Sequence, residues 1–271
     1  MFMTNKELKS KILSYYDNKE EKIFVGSIID KINTFKTSNH LVYTNFLDIN
    51  EKEITLCILN RYNINYQIFE PLEDTSRFVI FFIPEYLLDY DIADIFKKYI
   101  SVVKIIPKTK VNLTHREYMG AIYSLGLKEN MIGDIFVQDD LAYIFTFNTN
   151  IKFLFNNLTK VSKYDVKLVE LDMYSDEVKN IRISYKNINV IVASNRIDVI
   201  LSEVYSLSRS ETKAKIQNGD LYINSKEIYF APYNVEERDI VSFSKCGKFK
   251  VGKVLGTTKS GKIVLNIQKY N

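Results

Sequence analysis

Residues 194–224 read SNRIDVILSEVYSLSRSETKAKIQNGDLYIN, and the order of signals in this stretch sets the architecture of the last third of the chain. Ile197 to Tyr205 carries apolar residues at helical spacing. Ser208 stands three residues before Glu211, the pattern of a capping box, and Asn218-Gly219 supplies a helix stop. Short strands are expected at Leu221–Ile223, Ile228–Phe230, Ile240–Phe243, Lys250–Leu255 and Lys262–Ile267. Residues 194–271 thus read as two helices followed by a small sheet. Arg209 and Lys213, four apart, share one face of the second helix, while Ala214 and Ile216 are expected to pack inward. A helix N-terminus beside an arginine attracts phosphate, and the guanidinium fork can bond it at two points.

Upstream, Val102–Ile106 is a β-branched run, and Thr114-His115-Arg116-Glu117 is a second capping box, opening a helix through Leu125 with Gly126 as its stop. Strands at Asp134–Val137 and Ala142–Phe147 flank a tight turn at Gln138-Asp139-Asp140. A helix over Asn148–Leu158 and a strand over Val166–Leu171 complete a β-α-β-β-α-β order for residues 97–180. Phe136, Tyr143 and Phe145 are expected in the core, because no RNP1-type run accompanies them. Close packing of helix on sheet is the expected reason for Gly120.

Residues 1–96 are mixed. Helices are expected over Asn5–Tyr16, Glu20–Thr37 and about 51–61, the last capped by Asn50 and Glu53, with strands at Tyr66–Phe69 and Phe78–Ile83. Residues 181–193 read as a strand-like linker. The expected fold class is therefore α+β, with three small domains at 1–96, 97–180 and 194–271.

Composition bounds the function. With 271 residues, 46% hydrophobic and 26% charged, the chain is of globular type. Its longest apolar run is Phe78–Ile83, whereas a membrane span needs about 20 residues. No apolar leader stands at the N-terminus, and Cys57 and Cys246 lie far apart, so a reducing, cytoplasmic setting is expected without a cysteine-built zinc site. His40 and His115 form no metal pair. The net charge of +4 is unevenly spread: residues 1–96 carry 10 Lys/Arg against 15 Asp/Glu, residues 97–193 carry 14 against 10, and residues 194–271 carry 13 against 8. That asymmetry points to a polyanion partner for the later two thirds. Gly256-Thr257-Thr258-Lys259-Ser260-Gly261-Lys262 fits the P-loop spacing. However, Ile263 replaces the required hydroxyl and a strand follows, so a basic hairpin turn is expected.

Two longer patterns resemble known proteins. Arg196-Ile197-Asp198-Val199-Ile200-Leu201, Leu207-Ser208-Arg209-Ser210 and Ile216–Asn224 resemble the S4-like RNA-binding domain. Leu113–Ala121, Leu125-Gly126-Leu127-Lys128 and Ile132-Gly133-Asp134-Ile135 look like the central signature of the YlmH family, which joins an N-terminal domain, an RRM-like middle domain and a C-terminal S4-like domain. Thr44–Asp48 and Asn157–Val161 are also similar. The resemblance implies RNA-facing roles for Arg196, Ser208, Arg209, Ser210 and Lys213, with Asp198 structural, paired with a nearby arginine or capping its helix. Lys226, Lys245, Lys248 and Lys250 are expected to extend that surface, and His115 and Arg116 to add a contact from the middle domain.

The family resemblance further implies a non-catalytic protein that binds rRNA or tRNA on the large ribosomal subunit, in quality control of stalled subunits carrying peptidyl-tRNA. No cofactor, metal or small-molecule substrate is expected. Two departures stand out: Glu70–Arg77 replaces a Gly-rich, Arg-containing stretch, and Ser244–Phe249 replaces an Arg-Gly-x-Gly-Arg-Phe element. The alternatives are an RNA-modifying enzyme of pseudouridine-synthase type, whose Gly-Arg-Leu-Asp element is missing here, and an adaptor joining RNA to a protein partner such as the cell-division machinery.

Overall fold

A computed structural model describes residues 5–16, 18–72, 75–182 and 185–270. Glu73 and Asp74 of the divergent stretch and Ile183 of the linker lie outside the described residues. The chain forms two compact units, residues 1–182 and 183–271, and its class is mixed α+β.

The first unit opens with α1 (Asn5–Leu13) and α2 (Lys19–Ser38), then β1 (Val42–Tyr43), α3 (Ile49–Arg61), β2 (Tyr66–Phe69), β3 (Val79–Phe82) and α4 (Ile92–Tyr99). Strands β1, β3 and β2 form a sheet in that order. Helix α3 is capped by Asp48 with Glu51, two residues before the expected Asn50 and Glu53. Both pairs have capping-box spacing. The earlier one closes in full, Glu51 N–H donating to Asp48 Oδ1 (2.8 Å) and Asp48 N–H to Glu51 Oε2 (3.1 Å), and the helix it starts buries Thr55, Ile58 and Leu59.

Next come β4 (Ile100–Pro107), α5 (His115–Ser124), β5 (Ile132–Gln138), β6 (Leu141–Phe147), α6 (Asn148–Asn157), β7 (Lys160–Val161), β8 (Tyr164–Leu171) and the short α7 (Asp176–Lys179). Their sheet runs β5-β6-β4-β8-β7, all antiparallel. Asp139 and Asp140, at φ 53° and 63°, make the two-residue turn between β5 and β6. Val103, Ile105, Ile135 and Ile144 pack on Tyr118 and Ile122 of α5 and Leu154 of α6.

The sheet's other face is aromatic, and it is covered. Phe145 lies 6.0 Å from Phe69, Phe147 lies 4.9 Å from Phe46, and Phe81 and Phe69 both meet Phe96. Phe136, Tyr143 and Phe145 are all buried. The expected domains 1–96 and 97–180 thus share an aromatic layer. Asp134 reinforces it, accepting from the N–H groups of Ser76 (2.7 Å) and Arg77 (3.0 Å) and from the Thr75 and Ser76 hydroxyls. Gly133 sits where a Cβ would come within 2.8 Å of Phe46. Gly120, by contrast, is exposed with nothing within 4 Å of a would-be Cβ, so packing does not account for it.

The second unit holds β9 (Tyr185–Val192), α8 (Ile197–Tyr205), α9 (Arg209–Gln217), β10 (Leu221–Ile223), β11 (Lys226–Glu227), β12 (Ile240–Phe243), β13 (Gly247–Thr257) and β14 (Ile263–Tyr270). The sheet order is β11-β10-β12-β13-β14-β9. Residues 185–192, expected as linker, pair with β14 along the whole strand, because Ile188, Val190 and Val192 alternate onto the core. The expected strand Ile228–Phe230 does not form. Lys226-Glu227 pairs instead, and Tyr229 and Phe230 stay exposed. Residues 258–262 are a hairpin turn closed by Thr258 N–H to Lys262 O (2.7 Å).

Candidate nucleic-acid interface

Helices α8 and α9 lie on one face of the second sheet, and their facing sides are joined through a hydroxyl pair. Ser202 Oγ and Thr212 Oγ1 stand 3.0 Å apart, and Thr212 is fully buried beside Ile216. Burying Thr212 and Ile216 turns the opposite side of α9 outward: Arg209, Ser210, Lys213, Ala214 and Gln217 are exposed. Ala214 therefore faces solvent, not the core, since Thr212 occupies the inward position.

The two helix starts differ. At α8, Ile197 N–H donates to Tyr233 O (2.8 Å) and Asp198 N–H points to Ala231 O (3.4 Å), so a neighbouring segment closes this end. At α9, Ser208 Oγ accepts from Glu211 N–H (3.2 Å) and Ser208 O accepts from Thr212 N–H (2.9 Å). The cap is thus the Ser208 half of the expected box. No acidic side chain pairs with Arg209 or Lys213 among the described residues. This nine-residue helix presents an open N-terminal turn with two uncommitted cations on its outer face, an arrangement that attracts phosphate.

Arg196 is placed differently. It precedes α8 and grips Asp198 with two bonds, Nε to Oδ1 at 3.0 Å and Nη2 to Oδ2 at 2.9 Å. Asp198 is fully buried, and the guanidinium is held even further above its ordinary range by that hydrogen bond and by Coulomb attraction. Two of the five guanidinium N–H donors are committed, which leaves the rest available outward.

The remaining lysines divide. Lys245, at φ 63°, occupies the exposed β12–β13 turn, where Ser244 N–H donates to Asp220 O (2.9 Å) and Cys246 follows beside Tyr205. Lys269, which the sequence reading passed over, stands with Nζ 4.7 Å above the Tyr205 ring at the end of α8. Its signal was register: it pairs with core-facing Phe249, so it projects to the helix side of the sheet. Lys248 and Lys250 alternate with buried Phe249 and Val251 and therefore lie on the opposite face, Lys248 over Tyr270 at 4.8 Å. Lys226 is exposed on the β10–β11 hairpin. The structure thus brings Ser208, Arg209, Ser210 and Lys213 together and puts Lys248 and Lys250 elsewhere.

In the first unit, His115 and Arg116 are exposed on the first turn of α5, where Thr114 and Glu117 complete a capping box. The aromatic face of the same sheet is closed by Phe46, Phe69 and their neighbours, so it offers no platform for stacking bases. Among the described residues, no group of three or more His, Cys, Asp or Glu is arranged to hold a metal ion. Among them too, no helix is long and apolar enough to cross a membrane.

A family model described as the putative RNA-binding domain in YlmH matches residues 96–175. The ribosome-associated protein quality control protein P2 of Bacillus subtilis (strain 168) is 22% identical over 248 residues, covering 90% of this chain and 93% of that protein. A solved structure of the cell division protein ylmH from Streptococcus pneumoniae aligns with a TM-score of 0.49 at 18% identity, over 58% of this chain and 93% of that one.

Proposed function

Because the chain belongs to the YlmH family, we propose that it is an RNA-binding protein of the ribosome, acting by binding and not by catalysis. We read the five-stranded sheet with its helices as an RRM-like domain and residues 194–271 as an S4-like domain. The target is rRNA or tRNA on the large subunit, and the role is quality control of stalled, peptidyl-tRNA-bearing subunits in the cytoplasm. Support comes from the matched RNA-binding domain and from the name of the Bacillus relative. The observation that carries the reading is the open start of α9 with Arg209 and Lys213 free of acidic partners among the described residues.

In this reading α9 receives a backbone phosphate at its first turn. Arg209 and Lys213 flank that phosphate, while Lys245 and Lys269 widen the positive surface around Tyr205. Arg196 holds Asp198 and offers its remaining donors outward. Lys226, Lys248 and Lys250 act as peripheral contacts, and His115 with Arg116 forms a second one. Recognition is by shape and charge, which suits structured RNA. The test is co-sedimentation with large ribosomal subunits. The wild type pellets with them, the Arg209→Glu/Lys213→Glu protein stays in the supernatant with an unchanged circular dichroism spectrum, and undiminished pelleting of that variant refutes the assignment.

A further inference from the structure

Strand β2 is an open edge. Among the described residues it pairs with β3 and with no other strand. Ile83 N–H donates to Asn65 O (2.8 Å), and antiparallel alternation then assigns Gln67 and Phe69 to the bonds with β3. Ile80 confirms the phase, since its N–H and C=O are used by Thr44 on the β1 side. The N–H and C=O groups of Tyr66 and Ile68 therefore point away from the sheet. Proteins generally protect such an edge or use it.

A groove of about 520 Å³ runs along this edge. It is lined by residues 66–72 of β2 and the segment after it, together with Phe96, Phe145, Met173, Tyr174 and Lys179. A groove of mixed polar and aromatic lining along unpaired backbone is a geometry that receives an added strand, with alternate side chains entering it.

Charge decides what fits. Glu70 lines the groove paired with Lys52 at 3.2 Å, and Lys179 is its lining cation; the excess charge comes from Asp91, Asp172 and Asp94, which surround Tyr174 and add to burial in raising its phenol above the ordinary range. Lys97 is occupied by Asp172 at 3.2 Å. The loop that leaves β3 beside Asn65 and the first turn of α4 that follows carry Glu85, Asp89, Asp91 and Asp94 with no lysine or arginine between them. It also exposes Tyr86, Leu88 and Tyr90 at 53%, 53% and 62%. Clustered exposed apolar side chains mark contact surfaces, and this one repels a nucleic-acid backbone.

We propose that the β2 edge and its groove dock an extended segment of a partner protein, basic and with alternating apolar side chains, as a fourth strand of the sheet. This surface uses none of Ser208, Arg209, Ser210 or Lys213, and adds a protein-binding edge to the unit that also holds the matched RNA-binding domain. A random peptide display library panned on the full chain tests it. Expected winners alternate apolar residues with Lys or Arg. A winning synthetic peptide then shifts the Tyr66 and Ile68 amide resonances, and Gln67→Lys, which adds a cation on an exposed side chain, weakens it by about tenfold. Tyr66→Pro, which removes an outward N–H at a strand start, does the same. Any of four results overturns the proposal: no enrichment, acidic winners, winners unaffected by both variants, or the same amides shifted by single-stranded RNA or by protein concentration alone.

Discussion

Arg196 and Asp198 are two residues apart and bound through two hydrogen bonds at 3.0 and 2.9 Å, with the carboxylate fully buried at the first turn of α8. The pair anchors a helix start and still leaves guanidinium donors facing out. Removing the arginine strands a buried negative charge, which proteins tolerate poorly. Arg196→Ala should therefore lower both the melting temperature and RNA affinity, whereas Arg209→Ala should lower affinity alone. Thermal unfolding followed beside an RNA-binding titration separates the two; equal thermal stability of both variants would show the pair to be idle.

Phosphate contacts release counterions, so affinity must fall with salt. With about four to six phosphates engaged, log K should fall against log[salt] with a slope of roughly −3 to −5. Lys213→Ala should flatten that slope by about 1. Filter binding across a salt series measures both, and a flat wild-type response removes the electrostatic basis of the proposed function.

Two glycines should respond in opposite directions. Gly120 lies in α5 with open space around a would-be Cβ, so Gly120→Ala should stabilise by about 1 kcal/mol. Gly133 faces Phe46 at 2.8 Å and Phe145 at 3.2 Å, so Gly133→Ala should destabilise by about 1–3 kcal/mol. Urea denaturation of the two variants reads the difference.

Alkali should unfold the first unit through its phenols. Burial pushes Tyr118 and Tyr143 up to about 12 from the ordinary 10.0, with Asp140 contributing at Tyr118 and Glu177 at Tyr143. A raised acid pKa means that the folded state favours the neutral phenol. The stability it supplies is complete below the unfolded value of 10.0 and is lost as pH rises toward about 12. Tyr118→Phe, which loses only a 3.3 Å bond to Asp140 O, should flatten that loss, as denaturation midpoints between those pH values would record.

Much of this architecture was legible because local chemistry and burial agreed. Ser208 and Gly219 bound α9, and Thr114 and Glu117 open α5, as their spacing predicts. The first lobe was harder. Asp48 and Asn50 both satisfy the cap spacing, and spacing alone does not choose between them. The role of Asp134 was invisible, since its four donors lie 57 to 59 residues earlier in the chain. In the candidate site, helical spacing put Arg209 and Lys213 on one face. The separation of Lys248 and Lys250 from them follows from strand phase, which a run of alternating lysines fixes only once Phe249 and Val251 are known to be inside. Lys269 was missed for the same reason.

The central claim is that the first turn of α9 grips an RNA backbone, and a cryo-EM map of the full chain on its own large ribosomal subunit tests it most directly. The expected map shows Ser208, Arg209, Ser210 and Lys213 against rRNA or tRNA phosphates. A map in which α9 faces solvent while the protein is otherwise bound would contradict the account.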